Sequence, residues 1–183
     1  MADEKQQYTA HVEQLADKDT RYEAWKALKS AGQEAVDALR EGLSHPTWKV
    51  RQFCAMLLDE HWDVPALQRL TLALHDPKLK VRRAAVHSLG CDRCKNGENP
   101  IDVLPYVEER LREDKSIKVR RMAVLTLAIQ APNKRIARVL RRALRDETDL
   151  KLRRFAQWGL KRYDESVLSL SEASAAGESG RSS

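Results

Sequence analysis

A chain of 183 residues, 42% hydrophobic and 33% charged, suffices for one domain or one short helical stack with much solvated surface. Seven Gly and six Pro allow few turns, which argues against an all-β fold. Three Cys without a hydrophobic opening segment predict a reducing, cytoplasmic setting, and no run approaches the roughly 20 apolar residues of a membrane span.

The net charge of +6 is unevenly spread. Residues 1–63 hold 8 Lys/Arg against 12 Asp/Glu, whereas residues 64–166 hold 24 against 13. A basic body behind an acidic first third predicts a polyanionic or acidic protein partner.

One nine-residue phrase occurs five times along the chain. It begins at Thr20, Val50, Val81, Val119 and Leu152. Arg stands second in every copy (Arg21, Arg51, Arg82, Arg120, Arg153), Ala or Cys fifth and Leu ninth. The Arg positions lie 30, 31, 38 and 33 residues apart, the spacing of stacked units rather than of one wrapped core. Within the third copy Val81, Ala85 and Leu89 share a helix face. The small fifth residue lets a neighbouring helix approach closely.

A second amphipathic helix precedes each copy. Its apolar residues are, in chain order, Tyr8, Val12 and Leu15; Ala35, Val36, Leu39 and Leu43; Leu67, Leu70 and Leu74; Ile101, Leu104, Val107 and Leu111; Ile136, Val139, Leu140 and Leu144. Polar turns such as His45-Pro46-Thr47 and His75-Asp76-Pro77-Lys78 separate the two helices of a unit, with Pro ending one and Asp capping the next. The expected repeats are 8–30, 33–60, 64–90, 101–130 and 133–163, within a domain of residues 1–166. Residues 167–183, rich in Ser, Ala and Gly, have too little apolar surface to offset the entropy of ordering and are expected to form a disordered tail.

Asp76-Pro77 followed by Val81-Arg82-Arg83-Ala84-Ala85 and Leu89-Gly90, with its four echoes, resembles the HEAT repeat family, and more closely the short bacterial repeats of the phycobilisome-lyase type. The resemblance implies an all-α, right-handed α-solenoid of about five helix pairs. It also implies that the turn carboxylates (Asp76, Asp114 and Asp146 or Asp149) bond the repeated Arg of the adjacent unit, so Arg51, Arg82, Arg120 and Arg153 belong to the scaffold. The second turn departs from that pattern, with His45.

In such a stack the second helices line the concave face and expose the third, sixth, seventh and tenth places of the phrase. Down that face run Arg83, Arg121 and Arg154, joined by His87, Trp158 and Lys161. Arg and Trp are favoured anchors of protein interfaces and also suit phosphates and stacked bases. These six residues are the expected partner-binding set. Lys134, Arg135, Arg138, Arg141, Arg142 and Arg145 form a second basic stripe on an outer helix, expected to be solvated.

Cys91-Asp92-Arg93-Cys94, with His87 one turn earlier, has metal-like spacing, but a closed zinc site needs four ligands and no second Cys pair exists. Loop thiols are therefore expected, with no metal and no cofactor. His61-Trp62-Asp63 reads as a helix-end cluster before Pro65.

The function expected is that of a non-catalytic scaffold whose basic concave face binds a partner protein. The alternative is nucleic-acid binding, in a distant relative of the alkylpurine DNA glycosylases. In that family an Asp lies one turn after an important Trp. Here the residues four after Trp25, Trp48, Trp62 and Trp158 are Lys29, Gln52, Ala66 and Arg162, none of them acidic. A second alternative, implied by the lyase-type resemblance, is chromophore handling.

Overall fold

The computed structural model describes residues 2–94, 99–131 and 133–178. They form helix pairs in chain order. Helix α1 (Ala2–Gln14) pairs with α2 (Arg21–Ala31), and α3 (Val36–Gly42), entered through a 3-10 turn at Gly32–Ala35, pairs with α4 (Trp48–Leu57). Next come α5 (Val64–Ala73) with α6 (Leu79–Gly90), α7 (Leu104–Glu113) with α8 (Ile117–Ile129), and α9 (Lys134–Asp146) with α10 (Leu150–Glu178). The fold is an α-solenoid, without strands among the described residues.

The repeated phrase supplies the core. Val50, Val81, Val119 and Leu152 at its first place, the small residues at its fifth and Leu28, Leu58, Leu89 and Leu127 at its ninth are all buried. Successive second helices (α4, α6, α8, α10) pack closely on one another, whereas α3 touches α5 over a smaller contact. Close approach depends on missing side-chain volume. A Cβ on Gly90 would stand 2.7 Å from Thr126 Cγ2, and one on Gly42 would stand 2.5 Å from Cys54 Sγ. Only Gly32, at the entry to the second pair, has a positive φ (58°) among the described residues, and the His61 ring packs over it.

The repeated Arg works in both directions. Each donates backwards to the backbone of its own turn, six residues earlier: Arg21 to Leu15 O, Arg51 to His45 O, Arg82 to Asp76 O, Arg120 to Asp114 O and Arg153 to Glu147 O, at 2.7–3.2 Å. These carbonyls lie at or just beyond the C-terminal ends of the first helices, where intrahelical donors run out. Three of the arginines also grip a carboxylate of the next turn with two hydrogen bonds. Arg51 holds Asp76 at 2.6 and 3.1 Å, Arg82 holds Asp114 at 2.7 and 2.9 Å, and Arg120 holds Glu147 at 3.2 and 3.4 Å. The fork geometry of guanidinium suits this bidentate role.

The last of these rungs corrects the sequence expectation, which placed Asp146 or Asp149 there. The acceptor is the residue six before the next Arg, and that register selects Glu147. Asp146 turns to Arg145, while Asp149 accepts from Leu152 N at 2.8 Å and from Arg121. At the second turn His45 replaces the carboxylate. Its Nδ1 accepts from Thr47 N at 3.0 Å, as Asp76 accepts from Lys78 N and Asp114 from Ser116 N at 2.8 Å. With Nδ1 accepting, Nε2 carries the proton and donates to Glu13 at 3.0 Å. Arg21, facing this turn, makes no ion pair among the described residues and lies over Phe53 instead.

Helix α10 takes in residues 150–178 and so includes most of the segment expected as a tail. No Pro or Gly interrupts it between Leu160 and Ala176, and Ala, Leu and Glu favour helix there. Residues 179–183 lie outside the described residues. Its inner part closes the C-terminal end of α8, with Arg162 Nη1 donating to Ala128 O at 2.6 Å and Tyr163 Oη to Leu127 O at 2.7 Å. Burial pushes the Tyr163 phenol up to about 12.

Candidate functional site

The ladder separates two kinds of arginine. Arg-Arg pairs stand at 82–83, 120–121 and 153–154. The first member of each turns into the turn region, and the second faces outward from the layer of second helices. Arg83 and Arg154 are exposed and make no ion pair among the described residues. Arg121 is held by Asp149 through two hydrogen bonds, at 2.8 and 2.6 Å. Those bonds, with the Leu152 N–H, hold the Asp149 carboxyl down at about 2. The expected Arg83–Arg121–Arg154 stripe therefore has two open cations and a neutralised centre.

Beside the stripe, Trp158 is 42% exposed and carries the Arg162 guanidinium 5.0 Å from its ring centroid. Lys161 is exposed. Tyr22 and Met56 continue the exposed row towards the first pair. The seventh place of the phrase is exposed or half-buried as expected, but the sixth and tenth are not generally so. Ala55, Val86, Val124, Gly90 and Ala128 are buried because neighbouring second helices close over them.

A groove that the sequence reading did not single out opens where α6 and α8 begin. It has a volume of about 590 Å³ and is lined by Trp48, Pro77, Lys78, Leu79, Lys80 and Lys115, among others. No acidic side chain lines it. The N-terminal ends of two helices add partial positive charge to its three lysines. Arg83 follows Lys80 by one helical turn, so the groove and the stripe share α6. The signal in the sequence was Lys on either side of the helix starts, in turns assigned to structure alone.

A family model for HEAT repeats matches residues 9–90. Over this span the chain is similar to HEAT repeats. The same helix pairs, turn geometry and Arg ladder continue beyond the matched span to residue 163. The crystal structure of an engineered protein superposes with a TM-score of 0.53 at 18% identity, covering 86% of this chain and 79% of that one, and supports the solenoid fold. No curated protein matches the chain.

The solenoid places the remaining candidates. The outer stripe on α9 is partly paired: Arg135 with Asp102 at 2.7 Å, Arg145 with Asp146 at 2.7 Å and Arg142 with Asp146 at 3.6 Å. In the His61-Trp62-Asp63 cluster, Asp63 caps α5 by accepting from Ala66 N at 2.6 Å and pairs with Arg40 at 3.0 Å, which is a helix-end role. Cations sit over Trp25, Trp48 and Trp158, from Lys29, Lys80 and Arg162. The described residues include no helix long and apolar enough to cross a membrane.

His87 is half-buried and has close polar neighbours. Its Nε2 faces Asp59 Oδ2 at 3.1 Å and Cys94 Sγ at 3.7 Å. Asp59, His87, Cys91 and Cys94 each offer a donor atom, and all four lie within 4.8 Å of one another. Sequence reasoning found three of these and missed Asp59, which lies 28 residues before His87 and one repeat away. Aligning neighbouring phrases finds it, because its tenth place stands beside the seventh place of the next copy. Residues 95–98 of the adjoining loop lie outside the described residues.

Proposed function

We propose that this protein is a non-catalytic HEAT scaffold that holds an acidic segment of a partner protein against the layer of second helices. One observation carries the reading: the ladder uses Arg82, Arg120 and Arg153 internally, while Arg83 and Arg154 remain exposed without an ion pair among the described residues, with Trp158 alongside. Burying these open cations against carboxylates adds attraction without first breaking an internal pair. Trp158 adds apolar contact area of the kind found at interface hot spots. The lysine-lined groove at the starts of α6 and α8 extends the cationic surface across the middle of the stack.

The test is fluorescence anisotropy of the full chain with labelled acidic peptides containing aromatic residues, against charge-reversed peptides and single- and double-stranded DNA and RNA, at two salt concentrations. Selective binding of acidic peptides is expected. In Arg83→Glu/Arg154→Glu it should weaken by a factor of about 10 or more, the scale of one interface hot spot. Trp158→Ala should weaken it independently. Nucleic acid bound more tightly than any peptide, with affinity falling steeply in salt, would replace this reading with the nucleic-acid one. Acidic-peptide binding unchanged in the charge-reversed variant would exclude the proposed face.

A further inference from the structure

We infer that Asp59, His87, Cys91 and Cys94 form a closed, four-ligand zinc site that ties the end of the second repeat to the loop after the third. The geometry is close to what zinc requires. Tetrahedral coordination with bonds of about 2.0–2.3 Å separates neighbouring ligand atoms by about 3.3–3.8 Å. Three of the six separations are 3.1 Å from Asp59 Oδ2 to His87 Nε2, 3.2 Å between the Cys91 and Cys94 sulfurs, and 3.7 Å from Cys94 Sγ to His87 Nε2, and all six fall within 4.8 Å. Shifts of a few tenths of an ångström would bring these three distances to coordination geometry. Two thiolates, an imidazole and a carboxylate suit zinc better than the harder calcium or magnesium, which favour oxygen. With all four positions supplied by protein, no open position is left for substrate, so the site is structural.

The chain sets these ligands in place by ordinary means. His87 lies in the last turn of α6 and Cys91 follows it by four residues, its N–H still donating to His87 O at 2.9 Å, so both share one helix face. A turn closed by Cys94 N to Cys91 O at 3.4 Å returns the second sulfur. Asn99 Nδ2, donating to Leu89 O at 3.0 Å, fastens the far end of the loop to α6. Asp59 arrives from the C-terminal end of α4, which packs on α6. This loop is where the repeat spacing lengthens to 38 residues.

Electrostatics favour a cation over a redox pair. Reactive Cys-x-x-Cys thiols sit at helix N-termini, whose partial positive charge favours the thiolate. Here the motif follows a helix C-terminus, and a carboxylate joins it at the end of another, so two partially negative helix ends meet three acidic groups. A bound divalent cation reverses that balance and stabilises the deprotonated ligands.

The test titrates cobalt(II), as a visible stand-in for zinc, into reduced, metal-free full-length protein whose fold is verified by circular dichroism. One equivalent should give tetrahedral d–d bands with thiolate-to-cobalt charge transfer, bleached by one equivalent of zinc. Cys91→Ser/Cys94→Ser should lose the charge-transfer band, and Asp59→Ala and His87→Ala should each weaken binding at least about tenfold. Wild-type melting temperature should rise with zinc concentration, and that of the double-serine variant should not. Absence of charge transfer in folded wild-type protein would overturn the site, as would an undiminished spectrum in the double-serine variant. Full-affinity binding by Asp59→Ala would remove the fourth ligand and with it the closed site.

Discussion

Arg82→Ala is expected to destabilise the stack by about 3–5 kcal/mol, the cost of leaving one partner of a buried ion pair alone. The Arg82 side chain is 5% exposed and that of Asp114 1%. Without the guanidinium, Asp114 keeps only the Ser116 N–H at 2.8 Å and a distant Arg110 at 4.0 Å. The carbonyls of Asp76 and Pro77 also lose a donor. Exposed pairs such as Lys29–Glu60 should matter far less, at about 0–1 kcal/mol. Urea unfolding of Arg82→Ala, Lys29→Ala and Arg82→Met/Asp114→Leu provides the comparison. The double variant should recover most of the loss, because it also removes the desolvation of both charges. A loss below about 1 kcal/mol in Arg82→Ala would mean that the rung behaves like a surface pair.

The same rung predicts acid sensitivity. Burial by itself raises the Asp114 pKa, but the Arg82 hydrogen bonds, the Ser116 N–H and the charges of Arg82 and Arg110 outweigh it and leave the carboxyl below its ordinary value. A lowered folded-state pKa contributes stability that is present above the unfolded value of about 4 and is lost as pH falls through the folded value. Wild type should therefore lose stability below about pH 4 more steeply than Arg82→Met/Asp114→Leu.

Gly159→Ala is the second substitution with a large expected effect, and its sign is the informative part. In an ordinary helix this change gains about 0.5–1 kcal/mol. At Gly159 the new Cβ would stand 2.6 Å from Ala128 Cβ, 2.9 Å from Ala128 Cα and 3.0 Å from Leu140 Cδ1. Leu140 has a flexible side chain, but the α8 backbone cannot retreat without straining the bonds from Arg162 and Tyr163 to its last carbonyls. A net destabilisation of about 1–3 kcal/mol is expected, seen as a lower melting temperature. A higher melting temperature would show that α8 and α10 can separate at little cost.

Much of this architecture was legible because a solenoid repeats its instructions. The first, fifth and ninth places of the phrase named the buried residues of the second helices. The forward carboxylate was legible at Asp76 and Asp114. It was ambiguous in the fourth turn, where Asp146, Glu147 and Asp149 crowd together and only the six-residue register chooses. Exposure at the sixth and tenth places was misread because it depends on how closely α4, α6 and α8 approach. That distance is set by Gly90 and its neighbours jointly, not by one phrase. The meeting of Asp59 with His87 was invisible for a related reason, since it joins positions from different copies of the phrase. The pairing of Arg121 by Asp149, which neutralises the centre of the expected binding stripe, likewise crosses from one unit to the next.

The arginine ladder also has a direction. From Arg51 to Arg120, each guanidinium is a plug for a socket moulded by the following turn, and that turn carries the next plug behind it. Interior units are thus joined by couplings of one gauge. The joint between the first and second pairs is of another make: His45 stands where the other turns carry a carboxylate, Arg21 lies over Phe53, and the seam relies on packing with pairs such as His45–Glu13 and Lys29–Glu60. A bending load on the stack would meet stiff couplings through its middle and a compliant one near its beginning. Bending between the first and second pairs would strain packing and exposed polar pairs there, but no Arg–carboxylate rung among the described residues.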